Sequence, residues 1–130
     1  MSTLDETPKP VGELALQTVA MPADTNASGD IVSGWLVSQM DTACSIVASN
    51  IAKGRVATVS IGQMNFMVPV KVGAVVSCYC SIPSIGRSSM EINVEVWTYY
   101  PAQHLTHKVT EGTFVFVALD NNSRTRNIGQ

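Results

Sequence analysis

One carboxylate stands where local structure has no use for it. Asp41 falls within IVSGWLVSQMDTACSIVASNIAK (31–53), where Val32, Leu36, Met40, Ala43, Val47 and Ile51 recur every three or four residues. That spacing predicts a long amphipathic helix. Asp is a poor helix former in an interior position and has nothing to cap there. Its neighbours three and four positions away, Val37, Ser38, Cys44 and Ser45, include no Lys or Arg. An unpaired carboxylate on a partly apolar helix is desolvated, which raises its pKa toward the range of a useful general base. A solvent-facing aspartate, or one held by the adjacent serines, accounts for the position as well on chemistry alone.

Asn26 is the second candidate. It lies in PADTNASGD (22–30), a stretch dense in turn formers and helix caps, where an ordinary Asx turn also explains it. Gly29 and Gly34 allow close backbone approach near the helix start. Free N–H groups and the helix dipole there stabilise developing negative charge, so an oxyanion site of this kind needs no arginine. Glycines also serve as plain turns.

Other reactive side chains lead elsewhere. His104 and His107 are three apart in a polar loop after Pro101, with no third ligand at a sensible spacing, so no metal is expected. Cys44, Cys78 and Cys80 are odd in number and form no CxxC; they read as small buried hydrophobes, with Cys78 and Cys80 on one face of a strand. Trp97, Tyr99 and Tyr100 lack the basic groove that base stacking requires and suit packing or subunit contact.

The elements that must position these groups follow from the pattern. Residues 1–12 form a polar, Pro-containing lead-in, and ELALQTVAM (13–21) predicts a first strand ended by Pro22. Ser28 or Asp30 offers an N-cap for the helix, and Gly54 a stop. Strands are expected at 55–61, 64–68, 74–82, 88–100 and 108–119, with a turn at Ile85-Gly86-Arg87 and a polar tail over 120–130. Short connections imply antiparallel neighbours, hence an α+β domain over 13–119. One helix covers only part of such a sheet, and the uncovered apolar face implies a partner subunit.

Composition agrees. At 130 residues the chain is one domain, 45% apolar and only 14% charged. A surface so poor in charge suits partial cover by other subunits. The net charge of −2 argues against nucleic acid. The first residues, MSTLDETPKP, have neither the basic start nor the apolar run of a signal peptide, and no stretch reaches the length of a membrane span. A cytoplasmic location is the default expectation.

Taken together, MPADTNASGDIVSGWLVSQMDTACSIVA (21–48) resembles the signature segment of the bacterial YciA-type acyl-CoA thioesterases, relatives of the repeated domains of brain-type acyl-CoA hydrolases. The likeness continues through 54–80 and 85–97 and runs out near residue 119. It implies a hotdog fold, in which an antiparallel sheet of about five strands wraps a long central helix. It also implies dimers joined sheet edge to sheet edge, with assembly onward to a tetramer or hexamer, and sites at the dimer interface. In that family the catalytic pair would fall on Asp41 and Asn26, one from each subunit. Asp41 would deprotonate a water that attacks the thioester carbonyl, or attack it directly as nucleophile. Asn26 would orient the water or bind the carbonyl, and N–H groups around Ser33 and Gly34 would receive the oxyanion.

The resemblance extends to the rest of the substrate. Gly86, Arg87, Ser88 and Ser89 resemble the family's loop on the nucleotide side, with Arg87 for a phosphate; plain solvated surface is the other reading of that arginine. Met64, Phe66 and Met67 are candidates for an acyl channel, or simply for core. No cofactor is implied, since coenzyme A is part of substrate and product. A non-catalytic acyl-CoA-binding module is the alternative, favoured if either member of the pair had been lost. Departures from the family pattern are Ser33 before Gly34-Trp35, the bulkier Ala43 and Cys44 after the aspartate, and Met67-Val68 before Pro69 in place of a basic residue. They bear on acyl preference and binding strength.

Overall fold

The computed structural model describes residues 8–129, so most of the expected lead-in, residues 1–7, lies outside the described residues, as does Gln130. A first strand, β1 (Glu13–Val19), is followed by a 3₁₀ turn (Pro22–Asp24) and one long helix, α1 (Ser33–Ala52). Four strands follow: β2 (Val56–Ile61), β3 (Val75–Ile85), β4 (Ser89–Tyr100) and β5 (Leu105–Ala118). They form a single antiparallel sheet in the order β1-β3-β4-β5-β2, curved around the helix. This is the hotdog arrangement expected from the sequence.

The helix meets the sheet along a line of mostly small side chains. Leu36, Met40, Ala43, Cys44, Ala48 and Ala52 are buried, at the three- and four-residue spacing of one helical face. The expected apolar stripe was wider. Val32 is exposed, and Val47 and Ile51 are only half-buried, at the flanks. Opposite the helix stand Met90, Ile92, Val94 and Val96 of β4 and Phe114 and Phe116 of β5, all buried. Their alternation with Glu91, Asn93 and Glu95 is the period-two pattern of a strand with one buried face.

Two helix boundaries differ from expectation for tertiary reasons. Neither Ser28 nor Asp30 is the N-cap; Val32 is, with no side-chain cap. Residues 30–32 are held extended instead. The Ile31 N–H donates to Val70 O (2.8 Å) and the Val32 N–H to Asp24 O (2.8 Å), while Asp30 bridges to Lys71. Turning into a helix earlier would break those bonds. At the other end Lys53, not Gly54, takes the left-handed conformation (φ 55°).

The expected strand at 64–68 is absent. Residues 62–69 run along β5 beyond the end of β2 but make isolated contacts. The Gly62 N–H donates to Thr113 O (2.8 Å) and the Met67 N–H to Val109 O (2.8 Å). Between them the Thr110 hydroxyl, not a backbone N–H, donates to Asn65 O (2.8 Å). A side chain thus takes the place of a ladder bond, and the apolar run reads as a strand without being one. In return β5 starts earlier than expected, at Leu105, which places His107 in a strand.

Past β5 the chain turns back. Leu119 bridges to Thr125, Arg126 Nη2 donates to Ala52 O at the helix end (2.7 Å), and the Ile128 N–H donates to Arg87 O (2.9 Å). Among the described residues, no helix is long and apolar enough to cross a membrane.

Candidate active site

Asp41 is not unpaired. It sits midway along α1, partly exposed, and its Oδ1 accepts a 2.6 Å hydrogen bond from the hydroxyl of Thr58 on β2. This partner comes from the edge strand, out of reach of any reading of the helix neighbours alone. Thr58 is the contact to this carboxylate that the sequence did not disclose. Its only signal was position, as the third residue of a strand that directly follows the helix. Two adjacent hydroxyls are engaged elsewhere, since Thr42 donates to Ser38 O and Ser45 to Thr42 O. Asp41, partly exposed, therefore has one oxygen fixed, and among the described residues Oδ2 accepts no hydrogen bond.

Asn26 does form an Asx turn. Its Oδ1 accepts from the N–H groups of Ser28 (2.9 Å) and Asp30 (3.1 Å). The carbonyl half of the amide is thereby committed to the loop, and what it presents outward is a donor, the Nδ2 amide group. The Gly29 turn in this loop has φ 83°, a conformation suited to glycine. Ser33 and Gly34 are the first two residues of α1, both exposed. Their N–H groups belong to the helix turn that has no intrahelical acceptor.

The candidate acyl residues separate into two groups. Phe66 and Met67 line a cavity of about 160 Å³ together with Ser33, Leu36 and Pro69, at the N-terminal end of the helix. Met64 lies deeper. Gly112 on β5 leaves the room for it, because a Cβ there would stand 3.2 Å from Met64 Cε and 3.5 Å from Met40 Cε. Met64 is thus packed beside the residue that precedes Asp41.

Gly86, Arg87, Ser88 and Ser89 make the β3–β4 turn, closed by the Gly86 N–H donating to Ser89 O (2.8 Å). Backbone carbonyls of the turn are engaged by its neighbours: Ser88 O accepts from the Ala118 N–H (2.9 Å) and Arg87 O from the Ile128 N–H (2.9 Å). The Arg87 side chain is exposed. Through residues 126–128 this turn is tied to the C-terminal end of α1, opposite to the end that carries Asn26 and Ser33. Within one protomer the helix therefore spreads three groups apart: Ser33 and Gly34 at one end, Asp41 in the middle, the 86–89 turn near the other.

His104 has φ 55° and its Nδ1 meets the Tyr99 hydroxyl at 3.0 Å. Among the described residues no group of three or more His, Cys, Asp or Glu is placed to hold a metal ion. The three cysteines are free thiols and buried.

Comparison with known proteins follows the same lines. Residues 28–101 match the model of the thioesterase superfamily. The acyl-CoA thioester hydrolase YciA of Salmonella typhimurium is 49% identical over 129 residues, 97% of this chain and 96% of the relative. The YciA of Escherichia coli K12 is 47% identical over the same span. Among solved structures, a hexameric broad-specificity acyl-coenzyme A thioesterase superposes with a TM-score of 0.91 at 48% identity, over 96% of this chain and 86% of that one. A hexameric thioesterase from Yersinia pestis does so with a TM-score of 0.88 at 48% identity, over 94% and 99%.

Proposed function

Since the chain belongs to the thioesterase superfamily, within the YciA acyl-CoA thioester hydrolases, we propose that it hydrolyses acyl-CoA with Asp41 as general base, at a site built by two protomers. The observation that carries this reading is the Thr58–Asp41 hydrogen bond, which fixes a carboxylate in an otherwise ordinary helix and leaves its Oδ2 without a hydrogen bond among the described residues.

The chemistry follows from the groups present. Asp41 Oδ2 takes a proton from a water as the water oxygen attacks the thioester carbonyl. The carbonyl electrons move onto oxygen, and the helix-start N–H groups of Ser33 and Gly34 stabilise that charge. Collapse of the tetrahedral intermediate breaks the C–S bond and releases the carboxylic acid and the thiolate of coenzyme A. A thiol with a pKa of about 8.5 leaves without a strong general acid, so neither histidine has to take part. Asn26 acts as a donor through its Nδ2, because its Oδ1 is held by Ser28 and Asp30. A carboxylate held through one oxygen can act through the other either as base or as nucleophile, and the base is the reading proposed here because it needs no anhydride intermediate.

A single protomer does not bring these parts together. Ser33 and Asp41 lie roughly eight residues apart on one helix, about 12 Å along its axis. An N–H donor and the base can meet one carbonyl only if they come from different subunits. The outer edge of β2 supports such pairing: among the described residues it has no partner strand there, and it exposes Val59 and Ile61 beside Thr58. Structural relatives described as hexameric support a trimer of such dimers here. In this reading Arg87, Ser88 and Ser89 bind the phosphates, and Met64, Phe66 and Met67 face the acyl chain. The reaction needs no cofactor beyond the substrate's own coenzyme A.

The test is continuous thiol release from acyl-CoA esters of short to long chain, with Asp41→Ala as matched control. Turnover that vanishes in the variant, with the assembly intact, is the expected result. Binding without turnover in the wild-type protein would instead identify a non-catalytic acyl-CoA-binding module.

A further inference from the structure

The loop that carries Asn26 is exposed and largely self-contained. Residues 26–29 are all exposed, and their hydrogen bonds among the described residues lie within the loop. The Asn26 N–H donates to Asp30 O (2.7 Å), the Gly29 N–H to Asn26 O (3.1 Å), and the N–H groups of Ser28 and Asp30 to Asn26 Oδ1. The bridge between Thr25 and Ile31 closes the stem. These bonds give the loop a shape, but they leave its place relative to the sheet open.

Asp30 and Ile31 supply that connection. Asp30 meets Asn26 in both directions, giving its N–H to the amide oxygen and taking the Asn26 N–H at its carbonyl. On its other side it pairs with Lys71, through a backbone bridge and through the contact between carboxylate and ammonium. The Ile31 N–H donates to Val70 O (2.8 Å). The Lys71 N–H in turn donates to the hydroxyl of Tyr100 (3.0 Å). Tyr100 is the last residue of β4, the middle strand of the five, and its ring packs against the core. A continuous path thus runs from the centre of the sheet to the amide, through Tyr100, Lys71, Asp30 and Asn26.

Neither side-chain link is a strong source of stability. The Lys71 and Asp30 side chains are 57% and 29% exposed, and ion pairs at such exposure contribute little. The bond to the Tyr100 hydroxyl is also exposed, so water takes over as acceptor when the hydroxyl is removed. What water does not replace is an acceptor held at a fixed place. These links therefore act on where the loop stands more than on whether the protein folds.

We propose that Tyr100 and Lys71 are positioning residues for the reaction, fixing the Asn26 loop by way of Asp30 so that the Asn26 Nδ2 meets the substrate at one defined place. The proposal rests on the donor role given to Asn26 above.

The experiment measures thiol release, melting temperature and amide exchange on the assembled protein. Tyr100→Phe should lower kcat about 10-fold, part of the loss on the order of 10²-fold that about 1 Å of misplacement causes, with KM and melting temperature near wild type. Lys71→Met should do the same, and Lys71→Arg, which keeps the pair with Asp30, should recover most of the loss. Tyr99→Phe loses the same group from the neighbouring ring, whose hydroxyl meets His104 instead, and should match wild type. The Ser28 and Asp30 amides should exchange faster in Tyr100→Phe and Lys71→Met. The decisive comparison is made in Asn26→Asp, which keeps the turn but has no donor to deliver. In that background Tyr100→Phe should cost less than about 2-fold, the scatter expected when no coupling remains to be lost.

An unchanged kcat in either Tyr100→Phe or Lys71→Met, or an equal loss in the Asn26→Asp background, would overturn the proposal. If Tyr100→Phe does not assemble, Lys71→Met carries the same comparison. If Asn26→Asp matches wild type, or the protein hydrolyses no ester, the donor role fails on its own account. Exchange then decides whether Tyr100 and Lys71 hold the Asn26 turn, and unaltered Ser28 and Asp30 amides would overturn that as well.

Discussion

Thr58 and Asp41 are 17 residues apart in sequence and 2.6 Å apart in space, hydroxyl to carboxylate. This contact turns a mid-helix aspartate into a positioned group, because the helix alone leaves the side chain several rotamers and the edge strand selects one. Thr58→Val keeps the shape and removes the donor. Turnover should fall on the order of 10²-fold, as for a catalytic group displaced by about 1 Å, with the assembly unchanged. Thr58→Ser should restore most of it. Thiol-release kinetics on both variants decide the matter, and a fully active valine variant would remove Thr58 from the mechanism.

The two halves of the Asn26 amide have separable roles. Its Oδ1 holds the loop through Ser28 and Asp30, while the Nδ2 is assigned to the substrate. Asn26→Asp retains the acceptor and deletes the donor, so thermal stability should stay near wild type while kcat drops about 10²-fold. Asn26→Ala should lose both. Equal activity in Asn26→Asp and wild type would show that the residue serves only its turn.

Arg126 closes the C-terminal end of α1 by donating to Ala52 O and, through Nε, to Leu119 O (2.9 Å). Charge-assisted bonds to helix carbonyls of this kind contribute roughly 1–3 kcal/mol when partly buried. Arg126→Ala should lower the urea midpoint accordingly. Because the same segment reaches Arg87 O through Ile128, KM for acyl-CoA should rise with little change in kcat.

Burial pushes the Cys78 thiol from 9.0 up to about 12. The folded protein holds that proton more tightly than the unfolded chain, so the stabilisation is fully present below pH 9 and is lost as pH climbs toward 12. Denaturation midpoints measured from pH 8 to 11 should decline above 9. Cys78→Ala should flatten the decline, and an unchanged slope would assign it to other groups.

Much of the fold was legible because it is written in periodicity. The alternation of Met90, Ile92, Val94 and Val96 with polar residues gave β4 within a residue of its observed start, and the apolar recurrence around Leu36, Met40 and Ala43 gave the helix. What could not be read was anything decided between elements. The start of α1 is set by the bonds of residues 30–32 to Lys71, Val70 and Asp24, not by the cap residues nearby. Residues 64–68 look like a strand, yet a threonine hydroxyl occupies the place of a ladder bond. Asp41 was conspicuous for its residue type, whereas Thr58, an unremarkable threonine in a strand, acquires its meaning only from the fold.

Residues 62–69 carry Met64, Phe66 and Met67 and hold to β5 by the scattered bonds at Gly62, Asn65 and Met67 in place of a continuous ladder. Local opening of such a segment costs far less free energy than global unfolding, and its amides should exchange with solvent well ahead of those in the paired part of β5. The wall assigned to the acyl chain is then held less firmly than the paired strand it lies against. A lining that yields cheaply can accept chains of several lengths, so breadth of substrate would be set by local stability more than by the size of a rigid cavity.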